Sequence, residues 1–259
     1  MFAKKNLGQH FLISPHAIKK TVESANLTRK DIVLEIGPGT GSLTKELILK
    51  AKKVIAVEKD LELVQSLNQT FKKEVKNKKL EIIHDDILKC DLKSFGLKDG
   101  KYKVVANIPY YITGILMRTL LSNKIQPNTL VLIVQKEIAE RIARDSKESI
   151  LSLSVKAYGS PKYIGTIKSG AFRPSPKVDS AILLVEDISR DFFYKIKEEV
   201  FFKLVKTGFS SKRKFLLNNI SAIADKNSIA KEFKKIGIKE NVRAEDLPLN
   251  IWREIVDFI

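Results

Sequence analysis

The chain has one cysteine, three histidines and one tryptophan in 259 residues. A lone Cys90 excludes an internal disulfide and points to a reducing, intracellular compartment. One cysteine and three scattered histidines also exclude a zinc site, and no metal is expected. No run approaches the roughly 20 apolar residues of a membrane helix, so no membrane partner is expected. Met1–Asn6 has neither an apolar core nor a small-residue cleavage site, so no signal peptide is expected either. Acidic residues are scarce: 30 Asp and Glu stand against 47 Lys and Arg, for a net charge of +17. Such an excess implies a polyanionic partner, with nucleic acid the first candidate. Charge alone does not decide this, because the surfaces of a lysine-rich proteome drift basic.

What is present is 44% hydrophobic residues, enough for one large domain and one small one. Short apolar runs alternate with helix-length segments. Candidate strands are Asp31–Ile36, Lys53–Val57, Leu80–Ile83, Lys103–Ala106 and Thr129–Val134. Candidate helices between them are Thr40–Lys50, Asp60–Lys76 and Thr113–Ser122. This alternation predicts an α/β fold with a doubly wound, mostly parallel sheet. Two further strands, near Lys162–Lys168 and Ser180–Val185, have only a loop between them and are expected to pair antiparallel at a sheet edge. After Glu186 the apolar period becomes helical, from Phe193, Ile196 and Val200 onward. The expected domains are therefore 1–186 and a small all-helical 187–259. Trp252 reads as core, Cys90 as a small apolar residue, and His16 and His84 as structural.

The first strand ends in Glu35-Ile36-Gly37-Pro38-Gly39-Thr40-Gly41, which opens a helix. Glycines here let the chain turn sharply and let a ligand approach the backbone. A dinucleotide fingerprint would place its third glycine where Ser42 stands. The E-x-G-x-G-x-G spacing is instead similar to that of S-adenosylmethionine methyltransferases. Glu58 ends the second strand, where a carboxylate can accept ribose hydroxyls. Asp85 and Asp86 end the third, where methyltransferases of this pattern carry an acid for the adenine amine. Helix capping would explain Asp85 or Asp60 singly, but not the whole set.

The fourth strand ends in Asn107-Ile108-Pro109-Tyr110. An exocyclic adenine amine is a poor nucleophile because its lone pair is delocalised into the ring. Two acceptors on its two N–H groups would turn it toward tetrahedral geometry. The Asn107 side-chain oxygen and a carbonyl before or at Pro109 can supply them, and Tyr110 offers a stacking face.

These motifs together resemble the KsgA-type small-subunit (16S) ribosomal RNA adenine N6,N6-dimethyltransferases, nearly end to end. Asn6-Leu7-Gly8-Gln9-His10-Phe11-Leu12 resembles the family's N-terminal motif, with His10 where Asn is usual. Gln135–Arg141, Phe172–Ala181, Gly208–Lys214, Asn218-Asn219 and Arg243–Leu247 resemble other stretches of the group. The resemblance implies a Rossmann-like class I methyltransferase sheet. It places S-adenosyl-L-methionine against His10, Leu12, Gly37, Gly39, Glu58, Asp86 and Asn107, leaving S-adenosyl-L-homocysteine as product. Asn107, Pro109 and Tyr110 would hold the target adenine, and Phe172 would cover its other face. The implied substrate is two adjacent adenines near the 3′ end of small-subunit rRNA, modified late in assembly by a cytoplasmic monomer.

Lys212, Arg213 and Lys214 are expected on a helix, with at least one facing outward to contact rRNA phosphates. From Glu186 onward 15 Lys and Arg face 12 Asp and Glu, a net of +3 that leaves +14 of the total +17 to the larger domain. The nearest rivals are the Erm-type large-subunit rRNA adenine methyltransferases and a non-catalytic RNA-binding or assembly factor on the same scaffold. An intact glycine loop, Asn107 and Tyr110 favour an active enzyme.

Overall fold

The computed structural model describes residues 8–259, so Asn6 and Leu7 of the N-terminal motif lie outside the described residues. Its strands are β1 (Phe11–Leu12), β2 (Ile32–Ile36), β3 (Lys53–Glu58), β4 (Leu80–His84), β5 (Lys103–Asn107), β6 (Thr129–Gln135), β7 (Ser160–Ile167), β8 (Phe172–Arg173) and β9 (Ser180–Glu186). Its helices are α1 (Pro15–Ser24), α2 (Ser42–Lys50), α3 (Leu61–Thr70), α4 (Lys72–Lys76), α5 (Thr113–Ser122), α6 (Lys136–Ala143), α7 (Ile150–Lys156), α8 (Glu198–Gly208), α9 (Leu216–Ile220), α10 (Lys226–Lys235) and α11 (Leu249–Val256). None is long and apolar enough to cross a membrane.

The chain forms two compact units. One comprises the described residues up to Ala139 together with Gly159–Ser189, and the other Glu140–Tyr158 with Arg190–Ile259. The single boundary drawn after Glu186 thus misses one segment. Glu140–Tyr158 groups with the C-terminal helices because Leu153 and Ala157 are buried in their core. Helical periodicity alone does not say which core a helix will join.

The first unit is a seven-stranded sheet in the order β4-β3-β2-β5-β6-β9-β7. Strands β2 to β6 pair in parallel, and β9 pairs antiparallel with both β6 and β7, as the missing crossover helix requires. Central strands such as Val33-Leu34 and Val104-Val105 are fully buried, which is why they read as continuous apolar runs rather than alternating ones. The strand order reverses between β2 and β5. A crevice opens at such a switch point beyond the carboxyl ends of the strands.

Two details differ from the sequence expectation. The helix over Asp60–Lys76 is broken at Phe71, whose backbone leaves helical geometry and whose ring is buried. That ring packs against Gly41, the cap of α2, where an added Cβ would stand 2.6 Å from Phe71 Cε2 and where φ is +83°. A non-glycine residue at 41 would be both strained and blocked. The second difference is a small antiparallel pair, β1 with β8, in which Leu12 faces Phe172 and Phe11 faces Arg173. Two residues are too few to show a strand period in sequence.

The second unit packs Phe201, Leu204, Phe233, Trp252 and Ile255 in a separate core. Trp252 is fully buried and stacks on Phe209 at 5.6 Å. Gly208 permits this approach, because a Cβ there would run into the Trp252 ring.

Candidate active site

The crevice at the switch point is lined from four directions. Gly8–Phe11 comes from the N-terminal segment and Gly37 and Gly39 from the loop after β2. Glu58, Asp85 and Asp86 come from the ends of β3 and β4, and Asn107–Ile112 from the end of β5. Successive parallel strands thus deliver to one edge the residues that the sequence spaces some twenty apart.

Glu58 is buried at 6% exposure, and burial raises its pKa. Its Oε2 accepts from the Gly39 amide at 3.1 Å, and its Oε1 accepts from the Lys59 and Asp60 amides, each at 2.9 Å. Three of its roughly four acceptor sites are therefore filled, and the carboxylate is locked to the glycine loop. Gly39 holds φ at +60°, and a Cβ there would meet Phe11 Cδ1 at 2.9 Å, so only glycine lets the loop pass this close to the Phe11 ring. Asp86 accepts from Lys59 Nζ at 3.0 Å and from the Leu88 amide at 3.1 Å. The Lys59 contact leads in holding its carboxyl below the usual carboxylate range. Asp60 is an N-cap, accepting from the Glu62 amide at 3.1 Å, and also receives Gln9 Nε2 at 3.2 Å.

Asn107 Nδ2 donates to the His10 carbonyl at 2.9 Å. This fixes the amide flip, since a carbonyl accepts only, and leaves Asn107 Oδ1 as an acceptor in the crevice. The Pro109 carbonyl accepts from the Ile112 amide at 3.2 Å. Tyr110 is half-buried and its hydroxyl pairs with Ser180 Oγ at 2.7 Å, while burial raises its pKa and keeps the phenol neutral. Ser180 is not among the expected site residues. Its one signal is a hydroxyl opening the apolar strand Ala181–Val185, at a position that proves fully buried.

Two expected residues lie elsewhere. Leu12 and Phe172 are 3% and 4% exposed and belong to the sheet's hydrophobic core. The β1–β8 pairing turns both inward, so neither lines the crevice. His10 does line it, but its Nδ1 bonds to the Pro174 carbonyl at 2.7 Å. Beneath the crevice Glu35 is fully buried, and its carboxyl and the Thr44 hydroxyl lack hydrogen-bond partners of normal geometry. Desolvation leads in pushing the Glu35 pKa up to about 8; nearby Thr44 opposes it, and the Glu58 charge adds to it.

In the second unit, Lys212, Arg213 and Lys214 are all exposed, but on a turn before α9 rather than on a helix. Buried Asn219 enforces that turn, donating to the Gly208 and Ser211 carbonyls at 2.6 and 3.0 Å. A cavity beside it brings Lys212 and Lys214 together with Arg141, Lys147 and Arg243, alongside Glu148 and Glu245.

A family model described as ribosomal RNA adenine dimethylase matches residues 2–259. The chain belongs to the ribosomal RNA adenine dimethylase family. Among relatives of this family, the ribosomal RNA small subunit methyltransferase A of Dehalococcoides mccartyi is 40% identical, over 98% of this chain and 87% of that protein. Among solved structures, a dimethyladenosine transferase from Plasmodium falciparum aligns with a TM-score of 0.79 and 26% identity, over 95% of this chain and 96% of that one. The 23S rRNA methyltransferase ErmE aligns at a TM-score of 0.75 but 22% identity, over 95% of this chain and 98% of that one, a likeness of fold alone. The class I methyltransferase sheet that the resemblance implied is therefore the fold of this dimethylase family member.

Proposed function

We propose that the chain transfers methyl groups from S-adenosyl-L-methionine to N6 of two adjacent adenines near the 3′ end of small-subunit rRNA, giving dimethyladenosines late in ribosome assembly. The observation that carries this is Asn107, held by the His10 carbonyl so that its Oδ1 faces the crevice beside Tyr110. Asn107 Oδ1 accepts one N–H of the target amine. The Ile108 carbonyl takes the other, since the Pro109 carbonyl has one of its two lone pairs engaged by the Ile112 amide. Together they draw the lone pair out of the ring, and Tyr110 stacks on the splayed base.

The residues present suit the methyl donor. Gly37 and Gly39 put backbone and no side chain into the crevice, Glu58 has acceptor capacity for a ribose hydroxyl, and Asp86 shares its carboxylate between Lys59 and the donor's adenine amine. When bound, the donor supplies a methyl carbon already polarised by a sulfonium sulfur, which takes the electrons of the breaking C–S bond and leaves as a neutral thioether. The target nitrogen then sheds its proton to water, so the step calls for neither a strong base nor a metal. Lys212, Arg213 and Lys214 dock the helical unit on rRNA phosphates, and the enzyme acts as a cytoplasmic monomer.

The deciding experiment incubates the protein with labelled donor and unmethylated small and large subunits, followed by mass spectrometry of both rRNAs. Dimethyladenosine in small-subunit RNA is expected. Label confined to large-subunit RNA would instead favour an Erm-type activity.

A further inference from the structure

Three contacts around the Asn107–Tyr110 motif converge on one residue outside it, one through its backbone carbonyl and two through its ring. The His10 carbonyl orients Asn107 at 2.9 Å. Its imidazole lies 6.1 Å from the Tyr110 ring and within 22° of parallel. Its Nδ1 bonds to the Pro174 carbonyl at 2.7 Å, just past β8. A carbonyl only accepts, so Nδ1 carries the proton and the tautomer is fixed.

We propose that His10 is a positioning residue for the target adenine, and that its tie to Pro174 matters more for the second methyl transfer than for the first. This rests on the N6-dimethylation reading above. An unmodified amine offers two N–H groups to Asn107 Oδ1 and the Ile108 carbonyl. After one methylation a single N–H remains, so one of these acceptors is left without its partner. The base must then be held by stacking on Tyr110 and by the fixed walls of the slot. Ser180 fixes the hydroxyl end of Tyr110. His10 flanks the ring, and its bond to Pro174 prevents the imidazole from turning. Breaking that bond leaves the singly methylated base free to rotate away from the methyl carbon.

The test compares His10→Ala, His10→Asn and His10→Phe on unmethylated small subunits, following monomethyl- and dimethyladenosine over time by mass spectrometry. Donor affinity is measured on the same preparations by calorimetry, which also reports folding. In His10→Ala the second transfer should slow by about tenfold relative to the first, with monomethyladenosine accumulating at saturating donor. Asparagine places an amide N–H where Nδ1 stands, so His10→Asn should restore dimethylation. His10→Phe keeps a ring but not the donor, and should accumulate monomethyladenosine. The inference is overturned if the first and second transfers slow equally at saturating donor, if no monomethyladenosine builds up, or if Phe restores dimethylation. Should Ala fail to fold, Asn and Phe still decide between the hydrogen bond and the ring. A wild-type protein that leaves small-subunit adenines unmethylated would overturn the underlying function instead, a result separable from any of these.

Discussion

Replacing Glu35 by Gln should stabilise the sheet-containing unit at neutral pH, and the gain should disappear in mild acid. The carboxyl is 1% exposed, lacks a hydrogen-bond partner of normal geometry, and has its pKa pushed from 4.5 up to about 8. In the unfolded chain it ionises near 4.5, whereas the folded protein keeps it protonated until about 8. Between these values the native state binds more protons, so stability falls as pH rises through the window, by about 1.4 kcal/mol per unit. At pH 7 this amounts to about 3 kcal/mol, and below pH 4.5 to nothing. Glutamine is neutral throughout and close in shape to the protonated acid, so it removes this pH-dependent penalty without opening a cavity, although its second N–H offsets part of the gain at every pH. Denaturant titrations at pH 5, 7 and 8.5 would follow it. The lone Trp252 reports only the helical unit, so circular dichroism or amide exchange in β2 is the suitable probe. Parallel pH dependence in the two proteins would refute the reasoning, because Glu35 would then have to be ionised and compensated in the folded state.

Four further outcomes test the site. Glu58→Ala should weaken donor binding by about 1–3 kcal/mol and loosen the Gly39 loop it anchors, measured by calorimetry on folded protein. Asn107→Ala should lower the methylation rate far more than rRNA binding, because its hydrogen bond matters most as the lone pair is released; equal reductions in both would place it in binding only. Tyr110→Phe keeps the stacking face but leaves buried Ser180 Oγ unpaired, costing about 1–2 kcal/mol, and Ser180→Ala in the same protein should recover most of it. A double-mutant cycle with no coupling would remove Ser180 from the site. Lys212, Arg213 and Lys214 all changed to Glu should bind the small subunit weakly and with unchanged donor affinity, the salt slope falling by about one unit for each phosphate no longer neutralised. Wild-type binding across the titration would leave docking to the basic surface of the larger unit.

The sequence carries the strand ends well and the side-chain partners poorly, for a physical reason. Gly37, Glu58, Asp86 and Asn107 each follow an apolar run, and parallel strands with crossover helices bring all carboxyl ends to one edge. Their convergence therefore follows from topology, which periodicity reveals. Partnership across elements has no such periodic mark. Tyr110 and Ser180 are 70 residues apart, and His10 and Pro174 are 164 apart. Their distances depend on the antiparallel insertion of β9 between β6 and β7 and on the two-residue β1–β8 pair, whose registers leave no periodic mark. The same gap explains Leu12 and Phe172. A motif shared with a family fixes which residue stands at a position, but not whether its side chain faces the crevice or the core. Here a single β1–β8 register turns both inward. From the same segment it is Gly8, Gln9, His10 and Phe11 that line the crevice instead.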